Sequence, residues 1–227
     1  MSEDLIHAAG ITDLAEARML VESGFRRLGF PFALAYHAED LDIDEAAAIV
    51  RALGSEADPF LITYLDRPVE IQALCRRLGV SAVQLHGDVS PGALKTLRGG
   101  WPDLHIIKSL IVRGDNLASL ERESLRLAPW VDAFITDTFD PRTGATGATG
   151  RTHDWAVSRT LVRICPRPVI LAGGLSPENV RRAILEVRPA GVDVHTGIEG
   201  PDGRKDRALS RRFVREVQAG FAALARA

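Results

Sequence analysis

Two glycine-rich stretches near the end of this 227-residue chain carry its clearest chemical signal. Leu171-Ala-Gly-Gly-Leu-Ser-Pro-Glu-Asn-Val180 ends an apolar run with two glycines and then opens a helical pattern. Glycines there let backbone amides approach an anion closely, and the positive end of the following helix faces it. Val194-His-Thr-Gly-Ile-Glu-Gly200 supplies a second such turn, in which Thr196 adds a hydroxyl and Gly197 an N–H. One glycine turn could be only a tight connection. Two after successive strands point to a phosphate held by Gly173, Gly174, Thr196 and Gly197. A third run, Gly144-Ala-Thr-Gly-Ala-Thr-Gly150, reads as a loop that closes over the ligand and excludes water, with Gly147 and Gly150 at the phosphate.

The elements that must carry these turns follow from the alternation of short apolar runs with longer amphipathic ones, the pattern of βα units around a parallel sheet. Eight strands are predicted, over 5–9, 27–32, 60–65, 82–85, 105–109, 133–137, 169–172 and 192–195. Each precedes a helical segment. The first helix is expected to be capped by Thr12, and the seventh to run from Ser176 to Val187 with Pro177 in its first turn. A spacing of about 27 residues between strands suits a single α/β domain over residues 1–227, a (β/α)8 TIM barrel with a parallel eight-stranded core. An open doubly wound sheet would show a Gly-x-Gly-x-x-Gly turn after its first strand, which Gly10-Ile-Thr12 is not. In such a barrel, ligands lie at the C-terminal ends of the strands, where both glycine turns fall.

Composition narrows the classes further. A 46% apolar and 26% charged chain can bury a large core. With a net charge of −2 and interleaved acids and bases, it lacks the basic stripe of a nucleic-acid binder. The arginines between Arg204 and Arg215 read as the solvated face of a last helix. Cys75 and Cys165 show no metal-ligand spacing and suggest a reducing compartment. No signal peptide or membrane span is evident, so a cytoplasmic location is expected. No His-Glu-x-x-His or comparable cluster calls for a metal, and no organic cofactor is expected.

With these residues placed, the chain resembles the phosphoribosylanthranilate isomerase family, barrel enzymes of tryptophan biosynthesis. The resemblance rests on Val83-Gln-Leu-His-Gly87, Ile107-Lys108, Asp137 followed by Gly147-Ala-Thr-Gly-Arg-Thr-His-Asp-Trp155, the 171–180 turn, Gly191-Val-Asp-Val194 and Gly203-Arg-Lys-Asp206. It implies an Amadori rearrangement of an aminoaldose phosphate to an aminoketose phosphate, without a cofactor. An acid protonates the furanose ring oxygen, and a base removes the proton from the adjacent carbon. Asp137 is similar in placement to the family's acid, and Gln84 and Lys108 to substrate-contacting positions. The chain departs from the pattern twice. Ala9 stands where the family has a cysteine base, and Ala33-Leu-Ala-Tyr-His-Ala-Glu-Asp40 lacks the arginine that holds the anthranilate carboxylate.

The base must then be sought elsewhere. His7, His37, Glu39, Asp66 and His86 are the candidates near strand ends, with His86 favoured because histidine titrates near neutral pH. His7 shares the inward parity of Ala9. His37 and Glu39, in the stretch that lacks the arginine, suit contact with a cationic or polyhydroxy substrate group. Three readings stand: the isomerase with a relocated base; a lyase or other isomerase on a different phosphorylated metabolite, in which a buried Lys108 forms a Schiff base; and a non-catalytic phosphometabolite-binding barrel. The expected partner is a small phosphorylated substrate, with neither nucleic acid nor membrane, and the expected assembly is a monomer or homodimer.

Overall fold

The computed structural model describes residues 6–34, 41–114, 116–138 and 154–226. Its eight parallel strands close on themselves in chain order. They are β1 (Ile6–Ala9), β2 (Arg27–Phe32), β3 (Asp58–Thr63), β4 (Ala82–Leu85), β5 (His105–Val112), β6 (Ala133–Thr138), β7 (Val169–Leu171) and β8 (Gly191–Val194). The helices that follow them are α1 (Leu14–Ser23), α2 (Ile43–Leu53), α3 (Pro68–Leu78), α4 (Pro91–Gly100), α5 (Leu117–Leu127), α6 (Trp155–Ile164), α7 (Val180–Val187) and α8 (Arg207–Leu224). β1 closes the ring by pairing β8, with Ile6, His7 and Ala8 aligned to Val192, Asp193 and Val194. The expected barrel is therefore the observed one.

Most helices start on a residue whose side chain accepts an otherwise orphaned backbone N–H: Asp13 for α1, Asp42 in a capping box with Glu45 for α2, Ser90 for α4, Asp154 for α6 and Asp206 for α8. The α1 cap is thus Asp13 rather than Thr12. Thr12 instead gives its amide and hydroxyl to the Glu16 carboxylate. The seventh helix also starts later than expected. Ser176 accepts Glu178 N–H through its hydroxyl, but residues 177–179 form a turn in which Asn179 folds back on Ser176 N, and regular α-helix begins at Val180.

Each strand is covered on both faces. Outward side chains such as Phe30, Leu61, Val83, Ile106, Phe134 and Val192 pack under the helices. Inward ones form two smaller groups inside the ring, Ala9 with Phe60, Ile62 and Ala82, and Ile107 with Ala133, Ile135, Ile170 and Ala172. The interior is thus a filled core and not a pore, which leaves the strands' C-terminal rim for chemistry. No helix among the described residues is long and apolar enough to cross a membrane.

Candidate active site

The parity of each strand decides which polar groups reach the interior. The inward positions of β4, β5 and β6 include Gln84, Ser109 and Asp137, and His86 follows β4 with the same parity. Gln84 Nε2 donates to Ser109 Oγ at 3.3 Å, Ser109 Oγ lies 3.1 Å from His86 Nδ1, and that nitrogen is 3.9 Å from Asp137 Oδ2. The Tyr64 ring lies against the imidazole, with centroids 4.7 Å apart. These side chains form one row along the barrel wall.

Asp137 Oδ1 accepts a hydrogen bond from Thr138 N at 2.7 Å. Burial outweighs that bond and pushes its carboxyl up to about 7, because an apolar surround disfavours the charged form. A group held there can both give and take a proton at neutral pH. Asp193, inward on β8, is pushed to about 8 by burial and by the charge of Asp137, with Lys205 opposing. Its Oδ1 and Gln84 Oε1 are buried without a hydrogen-bond partner among the described residues. Two orphaned acceptors inside a barrel mouth suit the hydroxyls of a sugar.

The Asp193 carboxyl makes a stability prediction. Its folded value lies above the carboxylate's ordinary one, so its contribution is fully present below about pH 4 and is lost as pH rises through the folded value. Asp193→Asn should match the parent in thermal unfolding at pH 4. It should gain on the order of 2 kcal/mol by pH 8. A constant difference across that range would refute the assignment.

The glycine turns after β7 and β8 lie against each other. Gly173 and Gly174 adopt left-handed φ values of 98° and 61°, and Asn179 Nδ2 fixes the turn by donating to Gly174 O at 2.9 Å. Thr196 and Gly197 open a single 3-10 turn, Thr196–Ile198, directly after β8. A Cβ on Gly197 would collide with the Leu175 carbonyl and sit 3.1 Å from Ser176 Cα. The two turns therefore interlock through their backbones, and a bare Gly197 is needed for that contact.

Other expected site residues lie elsewhere. His7 faces inward, as its parity with Ala9 predicts, but lies towards the N-terminal end beside Arg27 and His105. It is 2% exposed, its ring is 5.3 Å from that of Phe60, and its Nδ1 has no partner among the described residues. Burial and the charges of Arg27 and His105 push it down to about 3. It is a buried imidazole of the barrel core. Asp66 is exposed in the β3–α3 connection. His37, Glu39, Gly147 and Gly150 lie outside the described residues.

Lys108 corrects the substrate-contact and Schiff-base readings. It shares the outward parity of Ile106, and its Nζ donates to Ser109 O at 2.7 Å and lies 4.0 Å from Glu123 on α5. Burial lowers its pKa, as a Schiff-base lysine would need, but the amine points into the β5–α5 layer. Lys108→Met should therefore keep kcat/KM within about threefold. Loss of turnover in a folded variant would return Lys108 to the site.

Sequence reasoning overlooked Ser109 and Asp193. Asp193 was visible as the alternate of Gly191 on a strand beside Asp137's half of the barrel, whereas Ser109 carries no signal apart from its neighbours. Among the described residues no group of His, Cys, Asp and Glu could hold a metal ion.

The chain matches the family model for N-(5'-phosphoribosyl)anthranilate (PRA) isomerase over residues 45–216. That span leaves out β1 and β2, the two strands whose ends hold Ala9 and the stretch without arginine. It is 37% identical over 219 residues to N-(5'-phosphoribosyl)anthranilate isomerase 2 of Methanosarcina mazei, covering 95% of each chain. It is 38% identical to the N-(5'-phosphoribosyl)anthranilate isomerase of Desulforudis audaxviator, covering 93% of this chain and 96% of that one. The crystal structure of phosphoribosyl anthranilate isomerase from Thermotoga maritima superposes with a TM-score of 0.79 at 27% identity, covering 95% and 98%. A structure of the isomerase in complex with reduced 1-(o-carboxyphenylamino)-1-deoxyribulose 5-phosphate superposes at 0.77 with 26% identity, over 95% of this chain and 98% of that one. Barrel fold and sequence kinship thus coincide over nearly the whole chain, which belongs to the N-(5'-phosphoribosyl)anthranilate isomerase family.

Proposed function

We propose that this isomerase converts N-(5'-phosphoribosyl)anthranilate to the corresponding 1-amino-1-deoxyribulose 5-phosphate in the cytoplasm, using only its own side chains. The observation that carries the reading is the buried Asp137 carboxyl, raised to about 7 at the inner end of β6 and 3.9 Å from His86. The substrate phosphate sits at the amides of Gly173, Gly174, Thr196 and Gly197. Asp137 protonates the furanose ring oxygen as the ring C–O bond breaks. Loss of the adjacent carbon's proton then gives the enolamine, which ketonises to product. His86, tied to Ser109, orients Asp137 and tempers its charge. Gln84 and Asp193 accept hydrogen bonds from the sugar hydroxyls. The protein works as a monomer or as a homodimer.

A second reading, a related reaction on another phosphorylated sugar, is favoured by one observation. Ala9 packs with Phe60, Ile62 and Ala82, so an apolar patch occupies β1 where a proton-transfer group would be expected. Direct assay separates the two: turnover of N-(5'-phosphoribosyl)anthranilate and rescue of a tryptophan auxotroph lacking this isomerase support the first. Binding of the substrate without conversion supports the second.

A further inference from the structure

The chemistry proposed above needs a second proton-transfer group, acting on carbon, and the β1 wall offers none. Among the inward titratable groups described so far, His7 is sealed in the core, His86 is hydrogen-bonded on the acid's own side, and Asp193 holds its proton near neutrality. Among the described residues one further imidazole stands at the rim. His195 directly follows β8, continues the inward series Gly191, Asp193, and has a side chain 31% exposed.

We propose that His195 is the catalytic base that removes the proton from the sugar carbon, with Glu199 as its positioning residue. The barrel closure brings it there. Ala8 is aligned with Val194, so the next residues, Ala9 and His195, are neighbours across the β1–β8 seam. Gly10 adopts φ 76°, and a Cβ on it would collide with His195 Nε2 and lie 2.9 Å from Cε1. The imidazole thus occupies the space that a side chain at position 10 would fill. Gly10 is bare so that the ring can lie on β1.

The ring is also backed by a carboxylate. His195 Nε2 lies 3.5 Å from Glu199 Oε1, which accepts from Lys205 Nζ at 2.7 Å. The same ammonium donates to His195 O at 3.2 Å, and Lys205 N–H is held by the buried Glu16 carboxylate on α1 at 3.1 Å. This latch fixes the turn from two sides. A carboxylate next to one ring nitrogen selects the tautomer that leaves the other as acceptor, and it stabilises the imidazolium once formed. Among the described residues, Glu199 lies beside the ring, Lys205 and Glu16 follow it in the latch, Asp193 precedes it on β8, and β1 contributes no charge at Ala9 and Gly10. Because the Thr196–Gly197 turn follows immediately, a phosphate bound there sets the sugar's distance from the imidazole.

In this step, which rests on the isomerase reading above, the C2–H bond of the ring-opened iminium breaks and its proton goes to His195. The electron pair forms the C1–C2 double bond and neutralises the nitrogen, giving the enolamine.

The test uses the full-length protein with N-(5'-phosphoribosyl)anthranilate and its C2-deuterated form. For His195→Asn we expect kcat to fall at least about 100-fold with KM within about threefold, a larger deuterium effect on kcat, and loss of the acidic limb of the pH profile. Free imidazole should restore turnover to His195→Gly. Glu199→Gln should fold, lose about tenfold in kcat and move the acidic limb to lower pH. Should His195→Asn be unfolded, that shift and the imidazole rescue decide the matter, and absence of both overturns the proposal. A kcat within threefold of the parent overturns it too. So does a raised KM at constant kcat, which would make His195 a phosphate contact. A parent protein with no turnover instead overturns the reaction itself, a failure seen before any variant is made.

Discussion

Asp137→Asn should lower kcat about 1,000-fold or more while leaving KM within a few-fold. The amide keeps the size and the Thr138 N–H contact of the carboxyl, so folding and phosphate binding are preserved. It cannot deliver a proton to the ring oxygen, and positioned acid catalysis contributes roughly 100- to 10,000-fold. A second readout is the pH profile. The parent's kcat should fall on the alkaline side as a group near 7 loses its proton, because the acid must be protonated to act. Retained turnover in the variant, or an alkaline limb unchanged in His86→Asn, would remove the Asp137–His86 pair from the mechanism.

Gly197→Ala should damage both stability and phosphate affinity, and more than Gly174→Ala. The added methyl meets the carbonyl of Leu175 and lies 2.8 Å from its carbonyl carbon, and these are backbone atoms that cannot swing aside. The two phosphate turns must part, an overpacking cost of about 1–3 kcal/mol, or a fall of several degrees in melting temperature for a chain of this size. Separation of the turns should also weaken inorganic phosphate binding by about tenfold or more. At Gly174 the left-handed backbone at φ 61° costs an alanine roughly 1 kcal/mol. Titration of both variants with phosphate, together with thermal unfolding, checks the ranking. Equal losses would mean that the interlock carries no weight.

Much of the architecture was legible. β2 and β4 match their predicted bounds residue for residue, since each is a short apolar run set off by polar or glycine-containing segments. The errors are local. β5 extends three residues past Ser109 because Leu110, Ile111 and Val112 continue the pairing with β6. The start of α7 moved because Asn179 takes Ser176 N–H, a side-chain competition with helix that periodicity cannot register.

Local patterns along the chain establish the eightfold alternation, the two glycine turns after the last strands, and an aspartate and a histidine at the ends of β6 and β4. These are local signals of apolar period, glycine content and position within a run. Which of those groups meet emerges only from packing. Strands of a parallel barrel are buried on both faces, so an apolar run does not announce its inward parity. Lys108 and Ser109 are adjacent in the chain, yet one enters the helix layer and the other the site. Depth is equally silent, and it separates His7 from the rim although the two inward residues His7 and Ala9 share a strand. The contact of His195 with Gly10 arises only when β8 closes on β1, because barrel closure joins the chain's first strand to its last and no local pattern spans that distance.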